Sequence, residues 1–107
     1  MRIGIRDAAF SVGELVWHRI FDYRGVVIDV DPVFMGDEEW YEQMAMSRPP
    51  KDRPWYHVLV HNAVHQTYVA ERNLDRDDCR APINHSAIDT IFSEYDGERY
   101  KLRLLSN

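Results

Sequence analysis

The chain has 107 residues, 45% apolar and 29% charged, which fits one soluble globular domain with a single core. Its 13 basic and 18 acidic residues give a net charge of −5, which opposes tight nonspecific DNA binding but leaves room for a local basic patch. One cysteine, Cys79, excludes an internal disulfide and a cysteine zinc cluster, and no apolar run reaches the roughly 20 residues needed to span a bilayer. A reducing, cytoplasmic setting without membrane contact is therefore expected. The segment 1–7 has no long apolar stretch and does not read as a signal peptide.

Residues 1–9 read as a leader or an added edge strand, and 10–14 as a turn. Leu15-Val16-Trp17-His18 reads as a first strand. A hairpin through Phe21 and Tyr23, closed by Gly25, leads into the central strand. There Val26, Ile28 and Val30 share one face, and Val27, Asp29 and Asp31 the other. Pro32 ends the ladder because it has no N–H to donate. One apolar and one mostly polar face predict an antiparallel sheet with one side wet.

Asp37, as N-cap, and two further acids predict a helix over 37–46, with Trp40, Tyr41, Met44 and Ala45 at helical spacing. Three prolines make 47–54 an exposed basic loop. Residues 55–61 and 67–71 predict two more core strands, joined by a turn at 62–66. A charged loop follows over 75–82. Ile88, Ile91 and Phe92 have helical spacing, with Ser86 as an N-cap. Asp96-Gly97 signals a turn, and 100–104 alternates like a strand.

His57, His61 and His65 stand four apart, a metal-like spacing on a helix. On a strand, however, His57 and His61 lie about 13 Å apart at ~3.3 Å per residue, too far for one ion. Outward-facing histidines are the plainer reading, so no metal or other cofactor is expected. The acids Asp29, Asp31, Asp37, Glu38 and Glu39 fit solvation and helix capping better than acid–base work. Acids around Cys79 disfavour a reactive thiolate. With no G-x-S-x-G, phosphate-binding loop or H-E-x-x-H, no catalytic residue and no enzyme are expected. Arg48, Lys51 and Arg53 on the proline-stiffened loop, then Arg19 and Arg24 at the first hairpin, are the candidate contacts for DNA or a protein partner. Aromatic residues beside these bases would suit either use.

Four linked blocks carry a family resemblance: 10–13 with 16–18, 23–32, 54–60 and 67–74. Phe10-Ser11-Val12-Gly13, Val27-Ile28-Asp29-Val30-Asp31-Pro32, Pro54-Trp55-Tyr56-His57 and Thr67-Tyr68-Val69-Ala70-Glu71 are their most distinctive runs. Together they closely resemble the YccV-like hemimethylated-DNA-binding domain family, over roughly residues 10–75. A bacterial heat-shock protein is that family's small single-domain member.

The resemblance implies a mainly β fold: a small, SH3-like, partly open antiparallel β-barrel with one or two short helices. It implies a stress-induced cytoplasmic protein linked to the degradation of certain proteins, including the replication initiator, by the ATP-dependent protease Lon. Binding to hemimethylated origin DNA and assembly into trimers are the other implied properties. The turn at 62–66 lacks the family's usual Asp/Asn-Gly, and the tail from 75 onward differs from the longer helical ends of some members. The leading expectation is a non-enzymatic adaptor that binds a protease and its clients, with weak DNA binding. A DNA-binding module is the alternative, and a ligand-binding or enzymatic barrel the third reading.

Overall fold

The computed structural model describes residues 7–103. Five strands form one antiparallel sheet: β1 (Leu15–His18), β2 (Tyr23–Asp31), β3 (Trp55–Val60), β4 (Gln66–Ala70) and β5 (Leu74–Arg76), in the order β4-β3-β2-β1-β5. Helix α1 (Glu38–Met44) is inserted between β2 and β3. Helix α2 (Ile88–Ile91) precedes a separate hairpin of β6 (Phe92–Tyr95) and β7 (Tyr100–Leu102). Strands β4 and β5 are opposite edges of the sheet, yet only a 3-10 turn, Glu71–Asn73, joins them. Three residues reach about 10 Å at most, at 3.3–3.6 Å each. The sheet must therefore curl until its edges approach, and without a β4–β5 ladder it is the partly open barrel expected.

Phe10, Val16, Val27, Val30, Tyr56, Val58, Val69 and Leu74 fill the interior. Phe10 meets Tyr56 edge-on, with ring centroids 5.5 Å apart. The Tyr56 hydroxyl donates to Glu71 Oε1 at 2.5 Å and accepts the Phe10 N–H at 3.2 Å, so the buried phenol is satisfied.

The expected wet face is corrected. Val26 and Val27 are neighbours on opposite faces, and both are 0% exposed. On the outer face Leu15, Val26 and Leu59 pack under Ile83, Phe92 and Tyr100. The C-terminal segment is thus a lid on this part of the barrel's outside. Gly13 ties lid to barrel: its N–H donates to Val27 O and its carbonyl accepts from Tyr100 N–H, each at 2.8 Å. A Cβ there would lie 2.1 Å from Tyr100 O, and φ is +95°, so only glycine fits.

A β-bulge explains the rest of the changed facing. Val27 pairs with Val58, but Asp29 pairs with His57, which leaves Ile28 as the extra residue. The alternation resets there. Val27 and Val30 both point inward, Ile28 is half-buried, and Asp29 and Asp31 turn outward. Gly25, expected to close the entry turn, lies inside β2 instead. Its Cβ would meet Val58 Cγ1 at 2.4 Å and Leu59 O at 2.6 Å.

Helix α1 is capped as predicted, with Asp37 Oδ1 accepting the Trp40 N–H at 2.7 Å, although it stops at Met44. Tyr41 and Trp55 hold the proline loop by donating to Pro49 O (2.7 Å) and Pro50 O (3.1 Å). The tail departs further from the sequence pattern. Ser86 is not the cap of α2, Phe92 opens β6 rather than extending a helix, and 74–76 forms β5 where the charged loop was expected to begin. The expected turn at Asp96 forms, with Asp96 Oδ1 accepting from the Glu98 and Arg99 N–H groups at 2.9 Å. Leu104, and residues 1–6 of the expected leader or edge strand, lie outside the described residues.

Candidate functional site

Four of the eight large apolar side chains exposed among the described residues gather beside the open edge of the barrel. Pairing along β4 alternates. His65 O accepts from Val60 N–H, and Glu71 N–H donates to Pro54 O, so odd-numbered residues face β3. The peptide groups of Gln66, Tyr68 and Ala70 therefore face the open side, where no described strand pairs them. Beside them is an opening of about 830 Å³. Trp40, Trp55, Tyr68 and Val69 lie at its base, with Ile20, Phe21, Met44 and Met46 around it. Those last four are 54%, 68%, 61% and 84% exposed and lie together around one opening.

Local chemistry sets both walls. The buried imidazole of His18 accepts the Ile20 and Phe21 N–H groups on Nδ1, at 3.2 and 3.0 Å. Its ring lies between Phe21 (4.8 Å) and Tyr23 (5.0 Å). Burial lowers its pKa, which keeps the ring neutral and able to accept. Asp22 turns the chain at φ 54° and accepts from Trp17 Nε1 at 2.7 Å. These contacts aim Ile20 and Phe21 at the groove. On the opposite wall, Trp40 and Tyr41 anchor α1 against Phe34 and Trp55, and the helix ends at Met44 beside the opening.

The five candidate basic residues do not form one free patch. Arg19 pairs with Asp75 at 3.4 Å and donates to Arg72 O. Arg24 is mostly buried against Asp77 at 2.6 Å and also binds the Cys79 and Ala81 carbonyls, so it clamps the lid to β2. Arg48 pairs with Glu42 at 2.7 Å. Lys51 pairs with Glu38 and sits 4.2 Å from the Tyr41 ring centroid. Arg53 is exposed and has no side-chain partner among the described residues.

The three histidines separate, as strand spacing requires. His57 Nε2 lies 3.2 Å from Asp31 Oδ2, His61 Nδ1 accepts the Asn84 N–H at 2.8 Å, and His65 offers its backbone carbonyl to His85. What the residue pattern misses is that the bulge sets Asp29 and Asp31 beside His57, since that depends on cross-strand register. It misses Ile20, Met44 and Met46 as well. The usable signal was apolar residues at a turn and at a helix end, where polar ones are usual.

Residues 8–99 match the family model described as "Hemimethylated DNA-binding protein YccV like". The chain belongs to the YccV-like family. The match encloses all four blocks that carry the resemblance and runs on through β6. In this YccV-like chain the match therefore takes in both the open-edge groove and most of the lid.

Proposed function

We propose that this YccV-like protein is a non-enzymatic adaptor that holds extended apolar segments of client proteins and modulates their degradation by the Lon protease. The observation that carries this reading is the groove beside β4. Exposed Phe21, Met44 and Met46 offer adaptable apolar contacts, and the edge peptide groups, which no described strand pairs, can pair an added strand. The resemblance supplies the protease, the stress-induced cytoplasmic setting and the trimer, and a barrel left partly open is suited to self-association.

The test is a titration of a fluorescein-labelled, permanently unfolded polypeptide, followed by degradation assays with purified Lon. Binding is expected to weaken at least tenfold in Phe21→Asp and in Met44→Asp, and the change in client half-life should vanish with it. Unaltered binding in both variants would reject the groove. Unaltered degradation with intact binding would reject the protease role.

DNA binding is the second reading, favoured by the family to which the chain belongs. The ion pairs of Arg19, Arg24, Arg48 and Lys51 count against a strong phosphate interface.

A further inference from the structure

Three metal-binding side chains converge on the outer face where β2 pairs with β3. Asp29 stands directly opposite His57, and Asp31 lies two residues further along the same face. One donor atom from each lies within 4.8 Å of the other two, and His57 Nε2 is already 3.2 Å from Asp31 Oδ2. We propose that Asp29, Asp31 and His57 bind one first-row divalent cation of the zinc type. With ligand bonds of 2.0–2.2 Å, a tetrahedral ion sets its donors about 3.4 Å apart. The His57–Asp31 pair meets that spacing, and exposed Asp29, whose Oδ1 accepts the Val30 N–H at 2.9 Å, brings a donor within 4.8 Å of both.

The surroundings favour an ion over solvated acids. Neither carboxylate pairs with an arginine or lysine among the described residues, and the ring nitrogen beside Asp31 there is His57 Nε2. Asp31 is oriented from behind: the Tyr68 hydroxyl donates to its Oδ2 at 2.6 Å and accepts the Met35 N–H at 2.9 Å. Such outer partners are what tune metal-binding carboxylates. All three ligands sit on paired strands, which hold their spacing more tightly than a loop. One imidazole and two carboxylates suit zinc or cobalt. Calcium wants six to eight oxygens, and magnesium prefers oxygen and water. Three protein ligands leave a position for water or an incoming group. His57 and Tyr68 also line the groove, so the ion would stand at its rim.

Calorimetric titration of the full chain with zinc chloride tests this, in a Cys79→Ser background that removes the exposed thiol. Cobalt(II) absorption serves as a second readout. One ion per chain is expected. Affinity should fall about tenfold or more in His57→Gln and in Asp29→Asn, less steeply in Tyr68→Phe, and stay unchanged in His65→Gln. Magnesium should not compete. Circular dichroism melts keep the comparison to folded variants. If Asp31→Asn fails to fold, the solvent-facing Asp29→Asn and His57→Gln decide the matter. No saturable zinc binding up to millimolar concentration, or equal binding in His57→Gln, overturns the site.

Discussion

Val58 shows at the residue scale how tightly the barrel is filled. It is 0% exposed, faces Val27 across the ladder, and one of its methyl carbons lies where a Gly25 Cβ would be. Val58→Ala should cost ~1–3 kcal/mol through lost burial and a partly unfilled cavity. Urea melts with an unchanged midpoint would remove Val58 from the core. His18 allows a second residue-scale prediction. Its Nδ1 accepts two backbone N–H groups, which it can do only when that nitrogen is unprotonated. The folded pKa is lowered by burial, while the unfolded chain titrates near 6.5. Between those two values the unfolded state binds more protons, so stability rises with pH there. The contribution is complete above about pH 6.5, fades as pH falls towards the folded pKa, and then levels off. The urea midpoint of the wild type should thus drop more steeply from pH 7.5 to 5 than that of His18→Gln. His61, lowered in the same direction, remains in both. Parallel curves would mean that His18 does not couple the β1–β2 turn to pH.

At the scale of elements, the C-terminal lid matters most. Phe92 is 2% exposed and packs with Tyr100 at 5.1 Å over Leu15, Val26 and Leu59. Phe92→Ala should cost about 3–5 kcal/mol, a large share of the roughly 5–15 kcal/mol that stabilises a domain. Hydrogen exchange should quicken most in β6 and β7 and least in β3. A loss under 1 kcal/mol, or uniform acceleration, would deny the lid its role. This element also marks how far the sequence could be read. Strands β1 and β3 and the cap of α1 were legible because runs of β-branched and aromatic residues and Asp37 are local signals. The lid was not. Helix α2 has only four residues, too few to establish a period, and β7 only three. The bulge was equally hidden. Val26 to Asp31 alternates without a visible break, and only pairing with β3 reveals Ile28 as the extra residue. Hence Val27 was assigned to the wet face, and the approach of Asp29 and Asp31 to His57 could not be read. The basic candidates failed for a related reason: charge is visible in a sequence, but the acids Asp75, Asp77, Glu42 and Glu38 that neutralise it lie 6 to 56 positions away in no fixed pattern.

For the whole molecule, charge and its pairing bear on DNA. The net charge is −5, and of the five candidate contacts only Arg53 has no side-chain partner among the described residues. Moving Arg48 or Lys51 from a carboxylate to a phosphate exchanges one exposed ion pair for another, and exposed pairs contribute only ~0–1 kcal/mol. Arg24 is further committed to the lid through two carbonyls. Few phosphates can then be neutralised, and each contributes about −0.9 to the slope of log affinity against log salt. A slope of about −1 to −2 is expected, with weak binding at physiological salt. Discriminating a hemimethylated site needs contact with base edges in the major groove. Helix α1 has seven residues and presents Asp37, Glu38 and Glu39 at its start, which repel the backbone it would have to cross. Hemimethylated and fully methylated duplexes should therefore bind within a few-fold of each other in a fluorescence anisotropy titration. Nanomolar binding to the hemimethylated duplex alone, with a steep salt slope, and abolished by combining Arg48→Ala, Lys51→Ala and Arg53→Ala, would reverse this order. The ion pairs of the proline loop would then be latches that open on DNA, and the adaptor reading would give way to the DNA reading that the family description carries.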